Sequence, residues 1–184
     1  SLYQEMLQKT INSLKLNKND SDYSNLEENW SPVIRIPVTA RIPENYIKDS
    51  ALRLSFYRRL SNFESQLQLE SLLAELIDRF GKIPKDVINL ANILKIKEKC
   101  KLLEIESLEV GTKGITFKFR EGKVENITGL LAFIESDKSN IKPSNDKLFI
   151  KTNKGNSLKL SYNVLKNMEK FLKKEAPSKE GASY

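Results

Sequence analysis

The 184-residue sequence has no histidine and one cysteine, Cys100. A lone thiol forms no internal disulfide. The absence of His and Cys clusters leaves no zinc site, and without imidazole the familiar acid–base and nucleophilic triads are out of reach. Also missing are a GxxxxGK[ST] loop to cradle phosphates, a GxGxxG turn after a strand, and carboxylates at metal-ligand spacing. No cofactor, metal or nucleotide hydrolysis is therefore expected, and the chain reads as a non-enzyme. No run approaches the roughly 20 apolar residues that cross a bilayer, and Ser1–Thr10 lacks the basic and apolar regions of a secretory signal, so a cytoplasmic protein is expected.

Arginine is scarce in the second half. Of 31 basic and 24 acidic side chains, 12 of each fall in residues 1–92, so the whole excess of +7 lies after residue 92, where every basic residue except Arg120 is lysine. Those lysines lie among many Asn and Ile, without the arginine and aromatic interleaving that base stacking or guanine readout uses. A compositional bias toward Lys, Asn and Ile accounts for them, and a basic nucleic-acid-binding module is the alternative reading.

What is present suffices for a core: 39% of residues are hydrophobic. Leu2, Met6, Leu7, Ile11 and Leu14 follow helical spacing over 1–18, and Asn17–Asn29 reads as a polar loop. Pro32–Val38 reads as a short strand whose two prolines confine it to an edge. After a turn at Arg41–Tyr46, Asp49 or Ser50 caps a helix carrying Leu52, Phe56, Leu60 and Phe63. Ser65 with Gln68 makes a capping-box pattern for a second helix, with Leu69, Leu72, Leu73, Leu76 and Phe80 as its buried stripe and Gly81 as its stop. Pro84 starts a third helix reaching about Leu103, in which Cys100 is a buried, inert thiol.

Past Ile105 the period changes to alternation. Leu108 and Val110, a Gly111–Gly114 turn, then Ile115, Phe117 and Phe119 predict a hairpin. A short helix is expected over Ile127–Ile134. A second hairpin is expected to pair Lys147–Thr152 with Ser157–Leu160 around Asn153–Asn156, and a closing helix to run from Tyr162 to Lys174. The fold class is α+β: N-terminal helices with a short edge strand, then two β-hairpins interleaved with helices. Residues 1–176 form one domain on this reading, and 177–184 a disordered tail.

At about 100° per residue, Glu75 and Asp78 lie opposite the leucine stripe of the second helix and must face outward. A solvated face is the plain reading of such a pair, and a recognition patch for a basic partner surface is the sharper one. Arg53, Tyr57, Arg58 and Arg59 form a basic and aromatic group on the preceding helix, read as a partly packed solubilising face.

The strings Arg53-Leu-Ser-Phe-Tyr57-Arg58-Arg59-Leu60 and Glu75-Leu-Ile-Asp78-Arg79-Phe80-Gly81-Lys-Ile-Pro84 resemble the C-terminal domain of the bacterial transcription-repair coupling factor family. The resemblance covers about residues 2–175 and is strongest up to Leu103. It implies a non-catalytic regulatory module in a large DNA-translocating ATPase that displaces stalled RNA polymerase at lesions and recruits nucleotide excision repair, with residues 1–18 continuing from the motor domain. It further implies that the module docks on the parent's N-terminal UvrB-like module, masks UvrA binding and restrains the motor. By the same resemblance, Glu75 and Asp78 match the acidic positions that pair with arginines of the UvrB-like module.

Overall fold

The computed structural model describes residues 30–153 and 155–173. The helix expected over 1–18, the loop over Asn17–Asn29 and the tail over 177–184 lie outside the described residues. The elements run β1 (Val33–Arg35), α1 (Ser50–Ser61), α2 (Gln66–Phe80), α3 (Lys85–Leu102), β2 (Ile105–Val110), β3 (Gly114–Phe119), α4 (Ile127–Ser136), β4 (Ile141–Ser144), β5 (Lys147–Lys151) and α5 (Ser157–Leu172). The class is α+β, as the sequence suggests.

The strands form one five-stranded sheet in the order β1-β2-β3-β5-β4. β1 is parallel to β2 and every other pairing is antiparallel. Both outer strands carry proline, at positions 32 and 37 flanking β1 and at Pro143 within β4. A residue without an N–H makes a poor template for another chain, so both edges are blunted. One sheet face, bearing Leu108, Phe117, Leu148 and Ile150, packs with α3, α4 and α5 into a core that also takes Phe133, Leu158, Leu165 and Met168.

A second core gathers Phe56, Leu60, Leu69, Leu72 and Leu76 of α1 and α2 with Ile42 and Ile47 of the preceding turn. The 18-residue α3 serves both: Val87, Leu90 and Ala91 enter the helical core, whereas Ile96 and Cys100 enter the sheet core. The expected caps form, with Asp49 accepting from the Leu52 N–H and Ser65 from the Gln68 N–H. Gly81 ends α2 at φ +88°, where a side chain would be strained, and donates its N–H to the Ile77 carbonyl.

Two expectations fail. Ser157–Leu160 is the first turn of α5 and not a strand: the Asn156 side chain accepts from the N–H groups of Leu158 and Lys159, and Leu158, Ser161, Leu165, Met168 and Leu172 bury one helical stripe. The true partner of β5 in the second hairpin is β4, turned through Asn145 at φ +54°. Pro143 and the polar residues around it hide this strand from an alternation test, and an edge position tolerates them.

Cys100 is fully buried, and burial pushes its thiol up to about 12. At neutral pH it is protonated and shielded. Titration with an aromatic disulfide reagent is expected to release no thiolate signal from the folded protein and one equivalent in denaturant. A fast equivalent under native conditions would contradict this packing.

Candidate functional site

The site grows from the contact between α1 and α2. Phe56 is buried and meets Phe80 edge to face, with ring centres 5.7 Å apart, and Tyr46 also meets Phe80 edge to face at 5.8 Å. The Tyr46 hydroxyl lies 3.0 Å from the Leu76 carbonyl and 2.9 Å from that of Gly81, bonding the end of α2 to the turn before α1. Burial raises the Tyr46 phenol above its ordinary range, consistent with its acting as a donor.

Two guanidinium groups lie over this aromatic ledge. Arg59 stands 5.0 Å from the Phe56 ring centre, and Arg79 stands 5.4 and 5.3 Å from those of Phe56 and Phe80. Both face Glu75. Arg59 donates from Nη1 to Oε2 and from Nη2 to Oε1, a bidentate pair, and the Arg79 Nη1 lies 3.9 Å from Oε2. The hydrogen bond from Arg59 holds the Glu75 carboxyl below its ordinary range, opposed by partial desolvation and helped by the charges of Arg59 and Arg79.

Asp78, one turn on, is exposed and makes no hydrogen bond or ion pair with the described residues. On the helical projection it aligns with Leu67, Ser71 and Ala74, with Glu70 and Ile77 on one flank and Glu75 on the other, turned toward α1. This outward ridge is unexpectedly apolar, since Leu67 is 73% exposed and Ile77 53%.

The two predicted acids therefore share one helix and both reach solvent, but their surroundings differ. The basic group read on α1 also divides. Arg53 donates to the Ile47 carbonyl and the Tyr57 hydroxyl accepts from the Ile42 N–H, so both secure the turn, whereas Arg58 and Arg59 stay exposed. The sequence reading missed Leu67 and Ile77 because periodicity scores only the stripe that is buried. It missed the Arg59–Glu75 pair because 16 residues separate them and only the packing of α1 on α2 joins them.

This pairing makes Glu75 a structural test as well as a docking test. Glu75→Gln is expected to lower stability by under about 1 kcal/mol in a urea melt near neutral pH, since the Arg59 and Glu75 side chains are 44% and 35% exposed and the pair is solvent-screened. A lowered carboxyl contributes stability above its ordinary value and loses it as pH falls through the lowered one. The difference between native and Glu75→Gln should thus vanish in strong acid; a difference that persists there would contradict the ionic origin.

Among the described residues no group of His, Cys, Asp and Glu is arranged to hold a metal ion, and no helix is long and apolar enough to cross a membrane.

Comparison with known proteins places these features in context. The family model for the TRCF domain matches residues 36–130, which include α1, α2 and the acidic ridge. The transcription-repair-coupling factor of Rickettsia bellii (strain RML369-C) is 37% identical over 166 residues, covering 89% of this chain and 14% of that protein. That of Escherichia coli (strain K12) is 30% identical over 135 residues, covering 73% and 12%. The chain thus spans about one seventh or less of these curated relatives. A crystal structure of the C-terminal domain of transcription-repair coupling factor superposes with a TM-score of 0.66 at 17% identity, covering 80% of this chain and 97% of that one, a likeness of fold.

Proposed function

Because this chain belongs to the TRCF domain family, carried by transcription-repair-coupling factors, we propose that it is the C-terminal regulatory domain of such a protein and acts by docking without catalysis of its own. In the parent, a cytoplasmic DNA-translocating ATPase that displaces stalled RNA polymerase and recruits excision repair, the domain binds the N-terminal UvrB-like module. Docking masks the surface that takes UvrA and restrains the motor until polymerase is engaged.

The observation that carries this reading is Asp78: an exposed carboxylate with no hydrogen bond or ion pair among the described residues, in line with exposed leucine and alanine on a helix anchored through the aromatic ledge. An unpaired acid beside apolar surface suits an arginine-bearing partner, since the apolar contact supplies area and the charge fixes register. Glu75 plays a different part. Arg59 and Arg79 already neutralise it, so an incoming guanidinium must share or displace them, and Asp78 supplies the unencumbered charge. Reversing both acids would set three arginines against one another around position 75, so reversal of Asp78 alone is the cleaner probe.

The test is a calorimetric titration of this chain with the separately purified UvrB-like module of the same polypeptide. Saturable binding weakened by salt, and competition between this chain and UvrA for the module, are expected. Absence of binding at low ionic strength would refute the proposal.

A further inference from the structure

The helices cover one face of the sheet, and among the described residues the other stands open: Val33, Arg35, Glu109, Lys142, Ser144, Lys147 and Lys151 are all exposed. The register and the alternation of the strands place the remaining side chains of that face. Phe149 on β5 lies opposite Thr116 of β3 and Lys142 of β4. Its neighbours on the same strand, Leu148 and Ile150, are buried in the sheet core, so Phe149 points away from it. A half-buried phenylalanine on a solvent face needs support from below, and Gly114 provides it. A Cβ at position 114 would clash first with the Ile150 carbonyl oxygen and would also come within 2.9 Å of the Phe149 Cζ, so the ring tip lies over a backbone with no side chain of its own. The tip of the ring thus lies close over Gly114, and the Phe149 side chain is only half-buried.

The charges around this ring are unbalanced. Lys147 and Lys151 flank Phe149 two residues away on either side, each about 7 Å along the strand, and Lys142 faces it across the β4 pairing. None of the three forms an ion pair with the described residues; Lys142 donates one Nζ hydrogen bond to the Lys138 carbonyl at 3.0 Å. The anions on this side are otherwise placed. Glu106 and Asp146 lie 2.7 and 3.9 Å from the Lys118 Nζ, where they raise its pKa, and Glu109 stands across β1 and β2 from Arg35. A compositional bias would scatter lysines over the surface, but it would not tie the local acids to a fourth lysine and leave three beside a half-exposed ring.

We propose that this open sheet face, with Phe149 as a stacking platform and Lys142, Lys147 and Lys151 as phosphate contacts, binds single-stranded nucleic acid. Stacking on an aromatic face tolerates any base, and lysines along an extended strand follow a flexible phosphate backbone. A duplex hides its bases from a flat aromatic surface, and among the described residues no helix projects from this face to enter a major groove. The site is on the sheet and not on α2, so it is independent of the docking proposal.

The experiment is fluorescence anisotropy of a labelled 20-nucleotide oligothymidylate titrated with the whole chain across a salt series. Binding is expected to weaken with salt at a log–log slope of about −2, as three lysines release counterions from a single strand. Lys142→Gln with Lys147→Gln and Lys151→Gln should remove most of that affinity and slope. Phe149→Leu, which keeps apolar cover over Gly114, should weaken binding roughly 5-fold or more. Asp78→Arg should not weaken it. No binding at low salt, unchanged affinity in the triple-lysine or Phe149→Leu variant, or equal affinity for a 20-base-pair duplex or for poly-glutamate would overturn the proposal. Circular dichroism confirms that each variant is folded, and the surface lysine variant decides the matter should Phe149→Leu not fold.

Discussion

Asp78→Arg is expected to weaken docking on the UvrB-like module by at least about 2 kcal/mol, roughly 30-fold, while leaving the thermal midpoint of the isolated chain nearly unchanged. The two halves of this expectation have separate causes. Asp78 is exposed and makes no hydrogen bond or ion pair with the described residues, and surface substitutions of that kind usually shift stability by no more than about 0.5 kcal/mol. At an interface with arginines, the same change removes an acceptor and places a cation against cations, a repulsion that no rearrangement of a rigid helix relieves. Asp78→Asn should give an intermediate loss, because the amide still accepts a hydrogen bond but carries no charge. An affinity that survives reversal would remove this residue from the interface, and a large drop in midpoint would mean that it supports the fold.

The second large effect is expected at Phe56. Its side chain is fully buried in the helical core, meets Phe80 edge to face, and lies beneath both Arg59 and Arg79. Truncation to alanine leaves a cavity and removes the surface over which the guanidiniums are held. The expected cost is about 3–5 kcal/mol, a large share of the roughly 5–15 kcal/mol that holds a domain folded. Urea melts should show a lower midpoint with little change in slope. Leu60→Ala is the comparison, since Leu60 is equally buried in that core but has no ring for a guanidinium to lie over. Both variants lose stability. Phe56→Ala alone should also abolish the effect of Glu75→Gln, because Arg59 then lacks the ledge that positions it. A loss under about 1 kcal/mol for Phe56→Ala would contradict the packing described here.

The parts of this molecule that could be read in the sequence are those governed by short-range rules. The leucine stripe of α2, its Ser65 cap and its Gly81 stop follow from spacing and from the needs of helix ends, and each is found where expected. The β2–β3 hairpin likewise announces itself by alternation around a glycine turn. Where tertiary context decides, the reading fails. Asn156 caps a helix although the residues after it had been paired as a strand, and β4 forms through Pro143 because an edge strand need not donate every N–H. For the site, outward placement of Glu75 and Asp78 follows from the helical period alone. Their inequality does not: the pairing of Glu75 with Arg59 exists only once α1 lies on α2, and the exposed Leu67 and Ile77 gain meaning only when seen beside an unpaired acid.

Docking of the kind proposed requires α2 to present its outward ridge to another part of the same polypeptide. The most direct measurement is the change in backbone amide shifts of the labelled chain as the unlabelled UvrB-like module is added. The largest changes are expected along Leu67, Ser71, Ala74, Ile77 and Asp78, with small ones over the sheet. Saturable binding that perturbs the sheet or α4 and leaves α2 unmoved would contradict it.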